Sequence, residues 1–329
     1  MFSSLALSAV IASGVGTPEL DKFQKITDMI TEKYIYTSRF TPPATLKLPM
    51  VLPSGTASTI TRELIPKSNN WEEVKTFYRN QVLVNPTNID DALRGVVDWL
   101  DDNHSVYLGK QQALNIKEVY GDLPCLKYTL AVTSTRASRE VTYELAAEDA
   151  RVGVIKIADF AGFDRTSGVQ EALDTLTQQG AKAFVMDLRG NPGGLAVEMM
   201  RTAGLFQSGF LWRMRLKGSF PLPLPALGNR PYGQVPLALV IDRNVNSAAE
   251  GFSGGLQRVG RARVFGQTSA GNVEAVYPYC FQDGSMLFLA SGQLAPFSGK
   301  TWEGVGVVPD EPNTTLNDAV KWAAGQLKP

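Results

Sequence analysis

Three short segments hold residue types whose spacing suits chemistry. Asp187 to Gly194 (DLRGNPGG) follows an apolar run and precedes a helical pattern. Consecutive glycines at such a junction free backbone N–H groups to point at one spot, and the following helix N-terminus adds positive potential there, which suits an anion or oxyanion. An isolated Gly-Gly equally fits a plain turn between strand and helix. Asp242 to Glu250 (DRNVNSAAE) also follows an apolar run and opens a helical pattern. A serine there sits in positive dipole potential, and the small Ala248 and Ala249 leave room for a substrate to approach. Ser247 equally fits a helix N-cap, with Glu250 completing a capping box. The third segment, Asp101 to Tyr107 (DDNHSVY), holds the chain's single histidine. Any mechanism that needs an imidazole near neutral pH has only His104 to use. A histidine just after a helix equally fits a C-terminal charge partner.

The elements that must position these segments fall into two styles. Near the N-terminus, Leu20, Phe23, Ile26, Ile30 and Tyr34 recur at helical spacing behind Thr17-Pro18, and further helices are expected from Asn70 to Val82 and from Asn88 to Leu100, the last capped by Thr87 or Asn88. The proline-broken stretch 41–68 reads as a loop or strap. From Lys127 to Leu145 the pattern alternates, as in a β-hairpin turning at 134–138. Strands and helices then take turns: strands at Val152–Ile157, Ala183–Leu188, Leu237–Ile241 and Ala262–Phe265, helices at Ser167–Gln179, Leu195–Phe206 and Ser247–Val259. That order indicates βα units on a largely parallel sheet. Pro221 to Pro236 reads as a proline-rich loop, Val273 to Leu289 as strands, and Leu316 to Leu327 as a closing helix.

Taken in order, these segments resemble peptidase family S41, the C-terminal-processing and tricorn-type serine proteases. Leu100 to Tyr107 matches a "Leu, x, acidic, x, His, Ser/Thr, x, Tyr" signature, and Asp187 to Gly194 matches "DLRxNxGG". Asn246 to Glu250 is similar to the nucleophile segment "SASASE" or "TASAAE", and Trp302 to Asp310 matches "WEGxGVxPD". The resemblance implies an α/β fold with a crotonase/ClpP-like core, here with a small N-terminal helical domain and a β-hairpin insertion. It implies Ser247 as nucleophile and an oxyanion hole from the N–H of Gly193 or Gly194 with that of Ala248, each donor supplying about 3–4 kcal/mol in the transition state.

The chain departs from the family pattern in two places. Processing proteases of the bacterial and chloroplast type activate serine with a lysine, and that place falls on Asn272, so the resemblance is nearest the lysine-lacking tricorn-like and interphotoreceptor-retinoid-binding-protein-like branch. That branch implies His104 as general base and Glu303 as the carboxylate that orients the site. Ser105 and Asn272 are supporting candidates, because tricorn sets a hydroxyl residue before its histidine where Asn103 stands here. The stretch between Tyr107 and Arg151 is also too short for a complete PDZ domain. The expected partition is a candidate signal segment 1–16, a helical domain 17–107 carrying His104, a linker and β-hairpin 108–150, and the core 151–329.

The expected function is a serine endopeptidase working through an acyl-enzyme on Ser247, with no cofactor and a peptide or protein substrate. The alternative is a non-catalytic member that binds a hydrophobic ligand or peptide in the same cleft. A third class, an acyl-thioester enzyme of the wider crotonase superfamily, has no use for Ser247.

Composition removes other classes. The 329 residues carry 32 Lys+Arg against 32 Asp+Glu, without the basic cluster that nucleic-acid binding requires. One histidine and two cysteines exclude a four-ligand His/Cys zinc site. No apolar run beyond the N-terminus is long enough for an integral membrane span. Phe2 to Val15 resembles the apolar and small-residue parts of a secretory signal without a preceding Lys or Arg, so export is expected and a cytoplasmic chain stays open. Cys125 and Cys280 fit either two thiols or one disulfide, and oligomeric state is open.

Overall fold

The structure, a computed structural model, describes residues 17–36, 70–102, 104–120 and 141–327. These residues fall into two compact units. The first holds the described residues up to 120 with Val276–Gly292, and the second those from 141 to Ala275 with those from Gln293 onward. The candidate signal segment, the strap 41–68, Asn103 and Cys125 lie outside the described residues.

The first unit is built on helices α1 (Pro18–Lys33), α2 (Trp71–Val84) and α3 (Ile89–Trp99), then strand β1 (Val106–Leu108) and helix α4 (Lys110–Tyr120). Thr17 caps α1 by accepting the Leu20 N–H, and Pro18 stands at its first turn, where a missing N–H breaks no helical bond. Phe23, Ile26 and Ile30 of α1 pack with Val74 and Tyr78 of α2 and Leu93, Val96 and Val97 of α3. Asn88 holds the cap position of α3, as expected, but makes no side-chain cap bond, while Asn85 caps a short 3-10 turn at Pro86–Asn88 ahead of it. Helix α4 lies where a linker was read.

The second unit begins with β2 (Val141–Leu145), β3 (Val152–Ile157), α5 (Arg165–Gln178), β4 (Ala183–Asp187), α6 (Ala196–Ala203), β5 (Gly209–Leu216), β6 (Leu222–Ala226), β7 (Leu237–Ile241), α7 (Ala248–Arg258) and β8 (Arg263–Gly266). The chain continues through β9 (Glu274–Cys280), β10 (Met286–Pro296), β11 (Glu311–Pro312) and α8 (Leu316–Gly325). One six-stranded sheet runs in the order β11-β8-β7-β4-β3-β2, parallel except for the antiparallel β2 at its edge. Thus Val141–Leu145, the second arm of the expected hairpin, pairs with Val152–Ile157, while residues 127–140 lie outside the described residues.

Strands β4 and β7 are buried along their whole length, which is why they read as continuous apolar runs rather than alternations. Phe184, Met186, Leu239 and Ile241 turn one way, onto Val169 and Leu173 of α5, Met199 of α6 and Phe252 and Leu256 of α7. Ala183, Val185, Ala238 and Val240 turn the other way, onto Ala319, Val320 and Ala323 of α8. Two helical layers on a parallel sheet are the α/β core expected from the sequence.

A second antiparallel pair, β5 with β6, was not anticipated. Trp212 of β5 is fully buried and donates its ring N–H to Gly251 O of α7 at 2.7 Å. Segment 222–226 forms a strand despite Pro223 and Pro225 because β6 is a sheet edge, where a missing N–H on the outer side breaks no ladder bond. In the first unit, β10 pairs antiparallel with β1, Val106 facing Phe288, and β9 pairs with β10. Cys280 of β9 is disulfide-bonded.

Candidate active site

Parallel strands bring their C-terminal ends to one rim, and β4 and β7 are neighbours with Asp187 beside Val240. The turn after β4 and the turn after β7 therefore meet, at the kind of strand-end crevice where ligands bind in open α/β sheets. Several bonds fix them to each other. Asp242 accepts the N–H groups of Gly190 and Asn244 at 3.0 Å each, and Asn191 O accepts the Asn246 N–H at 3.0 Å. Asp187 and Arg189 form a two-bond fork, both bonds 2.8 Å, which holds the guanidinium above its ordinary pKa.

Asn191 is fully buried and acts as a pin. Its Nδ2 donates to Ile157 O at 3.0 Å and its Oδ1 accepts the Gly193 N–H at 2.9 Å. Asn191→Ala would leave both backbone groups without partners, so a loss of about 2–3 kcal/mol is expected in denaturant unfolding. Asn191→Asp keeps the acceptor and loses only the donor, so it should fall between the two.

Ser247 is the N-cap of α7, but its backbone is not that of a cap. It has φ 51° and ψ −119°, whereas N-caps are extended. A non-glycine residue held there stores about 1–3 kcal/mol of strain, and such a sharp strand-to-helix turn presents a serine hydroxyl at the top of a sheet. Its Oγ and the Glu250 N–H face each other in the capping-box arrangement without closing a side-chain cap bond. Gly193 lies directly against this turn. A Cβ on it would fall 2.8 Å from Asn246 O and from Ser247 Cβ and 2.9 Å from Ala248 N. Of the expected oxyanion donors, the Gly193 N–H is taken by Asn191, whereas the N–H groups of Gly194 and Ala248 have no acceptor among the described residues.

Glu250 was read only as half of a capping box, and the structure gives it a larger part. Its side chain is fully buried, and its carboxylate accepts four donors: Ser269 Oγ at 2.6 Å, the Gly271 N–H at 2.6 Å, the Asn272 N–H at 2.9 Å and the Ser247 N–H at 3.0 Å. Burial pushes its pKa up, and the Ser269 hydroxyl and the three N–H groups pull it back. Ser269 Oγ also accepts the Val307 N–H at 2.6 Å, so one buried pair links the Ser247 turn to segment 268–272 and to the "EGVGVVPD" segment.

Asn272 is engaged through its backbone, since its O also accepts the Ser247 N–H at 3.0 Å, while its Nδ2 is buried without a partner among the described residues. Glu303 is half-buried and accepts the Val273 N–H at 2.9 Å. His104 belongs to the first unit. Asp102 Oδ1 accepts the N–H groups of His104 and Ser105, shaping the turn after α3, and Ser105 Oγ accepts the Ala290 N–H at 3.0 Å.

Residues 151–312 match the model of peptidase family S41. This part of the chain belongs to peptidase family S41. A carboxyl-terminal-processing protease of Picosynechococcus sp. strain PCC 7002 is 28% identical over 163 residues, which is 49% of this chain and 39% of that protein. The chain thus spans about two fifths of the length of that curated relative. Two solved structures share the fold across almost the whole chain. A photosystem II D1 C-terminal processing protease has a TM-score of 0.64 at 17% identity, covering 93% of this chain and 97% of its own. A lipoprotein from Streptococcus agalactiae has a TM-score of 0.65 at 16% identity, covering 95% and 98%. In the S41 segment, Asp187 to Gly194, Ser247 to Glu250, Ser269 to Asn272 and Glu303 to Val307 are joined by the bonds described above. Asn191, Asp242, Glu250 and Ser269 were not predicted as site residues. Their signal was their place inside motif segments, but each role depends on partners distant in sequence.

Proposed function

We propose that the chain is a serine endopeptidase with Ser247 as nucleophile and His104 as general base. The observation that carries this reading is the strained turn at Ser247, with the N–H groups of Ala248 and Gly194 left without acceptors beside it. As His104 takes the hydroxyl proton, Ser247 Oγ bonds to the scissile carbonyl carbon, and the oxygen that becomes negative is stabilised by the two N–H groups. Collapse breaks the C–N bond, and His104 returns its proton to the leaving amine. Water, giving a proton to His104, then attacks the acyl ester and releases the acid while Ser247 regains its hydrogen. Glu303 orients the site, and Gly193 contributes the close backbone approach rather than a donor. The substrate is a peptide or protein.

We also propose that the chain is exported. The disulfide at Cys280 supports an oxidising compartment, and the apolar segment Phe2 to Val15 agrees with it. No helix among the described residues is long and apolar enough to cross a membrane.

A fluorophosphonate probe tests the catalytic reading. Labelling at a single serine, identified by mass spectrometry as Ser247, is expected, and Ser247→Ala should abolish it. His104→Ala should slow it by at least about a hundredfold, the usual contribution of a general base. Labelling that survived loss of His104 would remove the imidazole from the mechanism, and absence of labelling in the native chain would favour a binding role for the cleft.

A further inference from the structure

The chain is neutral overall, but its charge is unevenly distributed. From Met199 to Ile241 it carries Arg201, Arg213, Arg215, Lys217 and Arg230 and no Asp or Glu. The β5–β6 hairpin lies inside this stretch, and its connecting segment 217–221 ends in Phe220-Pro221, leading into Leu222 and Pro223 of β6. Phe220 is 95% exposed, Leu222 is 52% exposed, and Pro221 and Pro223 between and beside them are exposed as well. A phenylalanine nearly free of protein contact, next in line to a leucine and two prolines, has no explanation in the packing of the unit.

We propose that the hairpin tip Phe220-Pro221-Leu222-Pro223 docks the protein onto an anionic lipid surface, its apolar side chains entering the interface and the arginines of β5 meeting the headgroups. Charge complementarity supplies the first argument: Arg201 pairs with Glu198 just outside the stretch, but Arg213 and Arg215 of β5 bond only neutral oxygens, and such basic groups are attracted to an anionic leaflet. Arg215 is exposed and its guanidinium bonds the neutral Gln293 Oε1, so its charge is not cancelled by that partner.

The backbone supplies the second argument. Burying an unbonded N–H in an apolar medium is costly, and residues 221, 223 and 225 have none to bury. The same absence argues against a peptide partner. An added strand needs N–H donors along the open edge, and prolines at alternate positions of β6 remove them.

Flotation of the full chain with vesicles of phosphatidylcholine alone and of phosphatidylcholine with phosphatidylglycerol tests the proposal. Binding is expected to the anionic vesicles and to weaken with salt. Phe220→Ser combined with Leu222→Ser should weaken it about tenfold or more, and Arg215→Glu about tenfold on anionic vesicles only. Phe220→Trp should show a blue-shifted emission when bound, a direct sign that position 220 enters the apolar layer. Because the tip is exposed, these variants should keep the wild-type Tm and the rate on a soluble peptide, so failure here leaves the reading of Ser247 untouched. The proposal is overturned if the native chain does not float, if the serine variants float as well as it does, or if polyglutamate binds in place of vesicles.

Discussion

Glu250→Gln is expected to lower stability near pH 7 by about 2–3 kcal/mol and to slow fluorophosphonate labelling of Ser247. The substitution preserves shape, so no cavity term enters. What changes is acceptor capacity: the carboxylate receives two donors on each oxygen, and an amide keeps one oxygen and presents an NH2 where the other was. Whichever way the amide turns, two of the four bonds to this side chain are lost, at about 1–1.5 kcal/mol each. With the amide nitrogen on one side these are the bonds from the Asn272 N–H and from the Ser247 N–H, which keeps Asn272 O as a partner, and on the other those from the Gly271 N–H and the Ser269 hydroxyl. Either choice loosens the turn that holds Ser247 in its strained conformation. A shift of roughly 5 °C in Tm follows for a unit of this size.

The pH dependence separates this account from a general loss of packing. Burial raises the folded-state pKa of Glu250, so between about 4.3, the ordinary glutamate value, and the raised value the folded chain binds more protons than the unfolded one. Stability from this group is therefore fully present below that window and declines as pH rises through it. The variant lacks this decline, so the gap between wild type and Glu250→Gln should be widest in acid and narrow with rising pH. Urea midpoints of the pair measured from pH 4 to 8 would show it, and a gap independent of pH would refute the titration of Glu250.

How much of this was legible in the sequence depended on whether the cause was local. Strands β4 and β7 could be read because a strand buried on both faces is an unbroken apolar run, and AFVMD and LALVI are short enough to exclude a helix. The glycine turn and the serine segment could be placed because each follows such a run. The conformation of Ser247 could not be read, since NSAAE suits an ordinary capping box as well as a strained elbow, and the sign of φ is set by bonds from Asn272 and Asn191. Glu250 shows the same limit: three of its four donors come from residues 269–272, beyond the helix it begins. Strand β6 was hidden by its prolines, whose harmlessness follows only once the strand is known to be an edge.

Gly193→Ala is expected to damage the turn at Ser247 directly. With φ at 93° the position is unfavourable for any side chain, and the new Cβ would fall 2.8 Å from Asn246 O and Ser247 Cβ and 2.9 Å from Ala248 N. None of these is the end of a flexible side chain. They belong to the backbone turn that carries Ser247, so relief requires moving that turn or the glycine loop. Forced φ contributes about 1–2 kcal/mol and overpacking about 1–3 kcal/mol more. Displacing the Ala248 N–H by even about 1 Å should reduce labelling of Ser247 by about a hundredfold. Gly190→Ala supplies the control within the same loop. Its φ is 77°, but its Cβ would meet nothing within 4 Å. That variant should therefore lose only the conformational part in stability and keep labelling within about twofold of wild type. Equal loss of labelling in both would mean that backbone strain in the loop, rather than contact with the Ser247 turn, governs the site.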